Sequence, residues 1–78
     1  GPLKNKTFLV TGKLREISRA EVKSLIENNS GTTVSSVSKK LNYLIVGEKP
    51  TNKKIINAKK LNIKIINQDQ FLKMLNKS

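Results

Sequence analysis

Apolar and polar positions along this chain fall into short runs of two different periods, punctuated by Gly, Pro, Asn and Ser. KTFLVT, Lys6 to Thr11, is β-branched and aromatic, the composition of a buried strand, and Gly12 ends it. Ser18 then precedes Glu21 by three residues, the spacing at which two side chains reciprocally satisfy backbone N–H groups at a helix start. Val22, Leu25 and Ile26 follow at helical spacing until Asn28, Asn29 and Gly31 stop the pattern. TTVS, Thr32 to Ser35, is a short β-prone segment, and NYLIVG, Asn42 to Gly47, is a strong buried strand closed by glycine. After the turn EKPTNKK, Thr51 or Asn52 can cap a second helix running to about Leu61, with Asn62 suited to a left-handed end. IKII, Ile63 to Ile66, is a fourth strand; Asn67 and Gln70 form a second capping pair ahead of Phe71, Leu72 and Leu75.

The predicted order is βαββαβα, an α/β fold. Strands one to two and three to four each form a βαβ-like unit, and parallel units of this kind are right-handed. If strands one and three are central neighbours, the order is 2-1-3-4, and the first two helices lie on opposite faces of a parallel sheet. The segment SVSKKL between strands two and three is shorter than a parallel crossover normally needs, and on length alone it predicts a hairpin.

Composition narrows the function. Seventy-eight residues make one domain with a small core. Gly1-Pro2-Leu3 reads as a protease-cleavage remnant, so residues 1–5 are set outside a domain placed at 6–76. Sixteen Lys and Arg against five acids give a net charge of +11, which attracts polyanions. The longest apolar run is far too short to span a bilayer, so nucleic acid is favoured over a membrane. With no Cys and no His, zinc, thiol nucleophiles and the usual general base are excluded. Glu16, Glu21, Glu27, Glu48 and Asp69 are scattered, and no nucleotide-binding glycine motif occurs. The chain reads as a monomeric binding module without catalytic residues, metal or cofactor.

Several motifs in order carry a family likeness: KTFLVTG, SRAEVKSLIE, a turn at Ser30-Gly31, VSKKLNYLIVG and AKKLNIKIINQDQFLKML. From Lys6 to Leu75 the chain resembles a BRCT domain. It is most similar to the single-copy class found in the large subunit of replication factor C, a clamp loader, and at the carboxyl end of NAD-dependent DNA ligases. The likeness implies a four-stranded parallel sheet of order 2-1-3-4 with three flanking helices, which answers the short-crossover objection. Ser30-Gly31 stands where the family has Gly-Gly, and Phe71 where it often has Trp. Between Gly47 and Ile65 the ligase pattern is one residue shorter and the clamp-loader pattern fits without a gap. The expected parent is therefore the clamp-loader subunit, in the nucleus, with a ligase of cytoplasm or nucleoid as the alternative.

In such a sheet, Thr11-Gly12 sits at the switch point between strands one and three, where open α/β sheets bind ligands. Helices one and two begin at the same edge, opened by Arg19 and by Lys53-Lys54, and helix amino ends attract anions. The likeness implies a phosphate pocket of Thr11, Gly12, Arg19 and Lys54, with Lys54 preferred over Lys53. It further implies recognition of a 5′-phosphate at a duplex DNA end or junction, with Lys13, Arg15, Lys39 and Lys40 as candidate contacts to flanking backbone. A phosphopeptide or a neighbouring domain is the alternative partner for the same pocket chemistry.

Overall fold

The computed structural model describes residues 3–76. Its elements are β1 (Thr7–Thr11), α1 (Arg19–Asn28), β2 (Thr32–Thr33), β3 (Tyr43–Val46), α2 (Asn52–Lys60), β4 (Lys64–Asn67) and α3 (Gln68–Leu75). The pairings between these strands are parallel and the sheet order is β2-β1-β3-β4, as the family likeness implies.

Local chemistry accounts for the boundaries. The Ser18 side chain accepts from the Glu21 N–H at 3.1 Å while Glu21 accepts from the Ser18 N–H at 3.2 Å. Asn67 and Gln70 repeat the arrangement at α3, both at 2.8 Å. Caps of this kind stabilise a helix by about 1 kcal/mol. Asn62 adopts φ +57° just beyond α2, the left-handed exit that Asn tolerates. In the turn after α1, φ +70° falls on Ser30. Gly31 serves a different end, because a Cβ there would lie 2.8 Å from Ile26 Cγ2 and 3.1 Å from Leu3 Cβ.

Two cores flank the sheet. Phe8, Ile45 and Ile66 point to the face covered by α1 and α3, where Leu14, Val22, Ile26 and Phe71 complete one cluster. The Phe8 and Phe71 rings meet edge to face with centroids 5.9 Å apart, and Tyr43 stacks on Phe8 at 5.2 Å; such pairs add about 0.5–1.5 kcal/mol beyond burial. Leu9, Leu44, Ala58 and Ile63 form the second cluster with Leu41, flanked by Val34 and Val37. The segment between β2 and β3 thus passes from one side of β1 to the other and does a helix's work in covering the second face. The objection from its length assumed adjacent strands; β2 and β3 are not neighbours, and β2 pairs only through Thr32 and Thr33.

One boundary is corrected. Leu3 is fully buried in the first cluster, and its N–H donates to Asn29 O at 3.1 Å while its carbonyl accepts from the Lys6 N–H at 3.0 Å. Residues 3–5 therefore belong to the packed domain; Gly1 and Pro2, also assigned to a cleavage remnant, lie outside the described residues.

Candidate nucleic-acid interface

The crevice at the carboxyl ends of the strands exists because β2 is two residues long. Its register stops at Phe8↔Thr33, so among the described residues no strand neighbours the outer edge of β1 from Val10 onward. On the other side, Lys13 and Glu48 form an antiparallel bridge through two hydrogen bonds, Lys13 N–H to Glu48 O at 2.9 Å and Glu48 N–H to Lys13 O at 2.8 Å. That crossing dictates Gly12: its φ is +85°, and a Cβ would stand 2.6 Å from Glu48 O.

Arg19, at the first position of α1, reaches back to this turn, its Nη2 donating to Gly12 O at 3.1 Å. A guanidinium carries five donors, so one is used here and the rest of the fork remains for an anion. Arg19 stands between two grooves. One, of about 480 Å³, is lined by Gly12, Lys13, Ile17, Ser18, Glu48 and Lys49 beside it. The other, of about 280 Å³, follows the uncovered edge of β1 and is lined by Val10, Lys23, Thr33, Ser35 and Lys54 with Arg19. Three cations and two hydroxyl residues line this second groove, and among the described residues no carboxylate does.

Lys54 comes from α2, on the opposite face of the sheet from Arg19, so the two meet only across the edge of β1. Lys53 is exposed and does not line that groove, which separates the pair as Lys54 in and Lys53 out. The Thr51 side chain makes no cap hydrogen bond, and the first turn of α2 holds no acid. Cations at an uncapped helix start are unfavourably placed against the positive end of the dipole unless an anion joins them.

Thr11 is not positioned as expected. It is fully buried, and its Oγ1 accepts the Thr51 N–H at 2.9 Å. The hydroxyl ties the entry of α2 to the end of β1 and sits beneath the crevice, not in it. Lys13 lines the Gly12 groove and also an adjoining hollow at the ends of β3 and β4, where Arg15 stands with Gln68 and Asp69. Lys39 and Lys40 are the clearest departure. Thr7 Oγ1 donates to Lys40 O at 2.7 Å, which puts both lysines at the amino end of β1, a strand's length from Gly12. They cannot flank an anion bound there.

Residues that sequence reasoning missed are Lys23, Lys49 and Gln68. Lys23 follows Arg19 by four residues, one helical turn, and that spacing was the available signal. Lys49 holds φ +50° before Pro50, a conformation with no sequence marker for lysine. Gln68 is buried, and its Oε1 accepts both the Arg15 N–H at 3.0 Å and the Glu16 N–H at 3.1 Å, holding the loop that leads to Arg19; its Nε2 is buried without a partner.

Comparison with known proteins agrees with this architecture. The family model of the BRCA1 C Terminus (BRCT) domain matches residues 1–75. The chain belongs to the BRCT family. Among curated relatives it is 70% identical over 78 residues to a DNA ligase of Pelagibacter ubique, covering 100% of this chain and 12% of that protein. It is 46% identical over 71 residues to a DNA ligase of Prochlorococcus marinus, covering 91% of this BRCT chain and 10% of the relative. A DNA ligase of Thermosipho africanus is 48% identical over 69 residues, covering 88% and 10%. The chain thus spans about a tenth of the length of these relatives. They favour the ligase alternative over a clamp-loader parent and give the nuclear location no support. The preference for a clamp loader rested on a one-residue difference in the interval from Gly47 to Ile65, which includes exposed turns before and after α2, and surface loops tolerate single-residue insertions.

Proposed function

We propose that this chain is the BRCT module of a bacterial DNA ligase, acting in the cytoplasm or nucleoid by binding, and that it holds the backbone of duplex DNA with a 5′-phosphate in the groove between Arg19 and Lys54. One observation carries the reading: two cations from helices on opposite faces of the sheet line a single carboxylate-free groove, with Lys23 beside them. Arg19 supplies a planar fork for phosphate oxygens, Lys54 a point charge, and the uncapped start of α2 the positive end of a dipole. Gly12 shapes the turn to which Arg19 is bonded, and Lys13 and Lys49 extend the positive surface along the neighbouring groove. Thr11 contributes by anchoring α2, not by touching the ligand. The ligase relatives supply the DNA context, and the +11 charge supports a large salt-dependent component.

The test is a titration of duplexes that differ only in the 5′-phosphate, at several salt concentrations. Tighter binding of the phosphorylated duplex is expected. Arg19→Ala and Lys54→Ala should each remove most of that preference, a loss of about 1.5–3 kcal/mol for a charge-assisted hydrogen bond, while Lys53→Ala should leave it. Equal affinity for both duplexes would refute the pocket. A phosphoserine peptide bound more tightly than the phosphorylated duplex would reassign the same groove to a protein partner.

A further inference from the structure

The cations displaced from the crevice are themselves organised. The helices run antiparallel to the strands, so the amino edge of the sheet receives the carboxyl ends of α1, α2 and α3, where cations offset the negative ends of the dipoles. Lys59, Lys60 and Lys73 lie in last helical turns and are explained in that way. Lys6, Lys39, Lys40 and Lys64 are on no helix. Lys6, Lys39 and Lys64 line one groove of about 280 Å³ with Asn42, Tyr43 and Asn62, and among the described residues no carboxylate borders it. Of the acidic residues, Glu16, Glu21, Glu48 and Asp69 belong to the carboxyl edge, leaving only Glu27, in the last turn of α1, at the amino edge. Among the described residues none of the four lysines has an ion-pair partner.

The turn that carries Lys39 and Lys40 is held in place. The Leu41 N–H donates to Ser38 O at 3.0 Å. Thr7 Oγ1 donates to Lys40 O at 2.7 Å, and Asn42 Oδ1 accepts the Thr7 N–H at 2.7 Å. Four cations projecting from a pinned turn and two strand starts lose less freedom on binding a polyanion than lysines on a loose loop.

We infer that the amino edge of the sheet, through Lys6, Lys39, Lys40 and Lys64, is a second polyanion-binding face that takes the phosphate backbone of a second duplex DNA segment. The inference shares with the proposed function the identity of the polyanion, but not the site. Five residues of β1, about 16 Å of strand, separate the two edges, and they face opposite ways. A straight duplex lying on one does not reach the other.

The decisive experiment compares the unaltered 78-residue chain and three variants in binding a short duplex without a 5′-phosphate, as a function of salt. Each backbone contact contributes about 0.9 to the slope of log affinity against log salt. The quadruple Lys6, Lys39, Lys40 and Lys64→Gln variant should lower that slope by roughly two to four and keep the preference for a 5′-phosphorylated duplex. The quadruple Lys→Arg variant should retain the slope, since charge is what the contact needs. Arg19→Ala with Lys54→Ala should do the reverse of the Gln variant, losing the phosphate preference while keeping most of the slope. Donor- and acceptor-labelled duplexes should be brought together by the unaltered chain and not by the Gln variant. An unchanged slope in the Gln variant, or no energy transfer with the unaltered chain, overturns the inference. Loss of oligoglutamate binding with an unchanged DNA slope assigns the face to an acidic protein segment and overturns it as well.

Discussion

Thr11→Val isolates the reassignment of the crevice. The substitution keeps the shape of a fully buried side chain and deletes one oxygen, the acceptor of the Thr51 N–H at 2.9 Å. A neutral hydrogen bond contributes about 0.5–1.5 kcal/mol net, and an orphaned donor costs about 1–3 kcal/mol when it stays dry. Thr51 itself is exposed, so water recovers part of the loss and the expected destabilisation is about 1–2 kcal/mol. In a domain of this size that lowers Tm by roughly 4–16 °C. Thermal and urea unfolding followed by far-UV circular dichroism measure it, with Thr11→Ser as the control that restores the acceptor. Below the transition, the preference for a 5′-phosphorylated duplex should stay within about twofold, or roughly 0.4 kcal/mol, because the hydroxyl never reaches the groove. Unchanged stability together with a lost phosphate preference would refute the reasoning and make Thr11 a ligand.

Leu3→Ala removes a fully buried side chain of the first core and is expected to destabilise the domain by about 2–5 kcal/mol; a urea midpoint equal to that of the unaltered chain would return residues 3–5 to the status of an appendage. Gln68→Ala leaves the Arg15 and Glu16 N–H groups without their acceptor, which should speed amide hydrogen exchange at those two positions and cost about 1–3 kcal/mol. Exchange rates that do not move would show the loop to be held by other contacts. Glu48→Gln removes the one carboxylate lining the groove beside Gly12 and Lys13, so affinity for duplex DNA should rise by up to about 1 kcal/mol at low salt and the gain should vanish in high salt.

Local chemistry was legible in the sequence. Ser18 with Glu21 and Asn67 with Gln70 announce their helices because a cap acts over three residues, and Asn62 announces a left-handed exit for the same reason. The unbroken apolar runs in KTFLVT and NYLIVG predict two-sided burial, and the βαββαβα order with right-handed units gives a 2-1-3-4 sheet once strands one and three are neighbours, the arrangement that the family likeness implies. Arg19 and the pair Lys53-Lys54 could be nominated because each lies in the first turn of a helix at the switch point, and the preference for Lys54 within the pair came from the family likeness.

What only the tertiary structure decided involves residues distant in the chain. Thr11 looks like a free hydroxyl until Thr51, forty residues on, takes its oxygen. Leu3 looks like a tail until the Gly31 turn makes room for it beside Ile26. Lys39 and Lys40 precede a strand whose far end is the crevice, and nothing local says which end they share; a parallel sheet puts every strand start on one edge, with Lys6 and Lys64. Sequence by itself determined the elements and their order, since those depend on contacts within a helical turn or on a short run of β-prone apolar residues. Tertiary packing decided which charges share an edge, because that depends on how strands about twenty to thirty-five residues apart in the chain lie side by side.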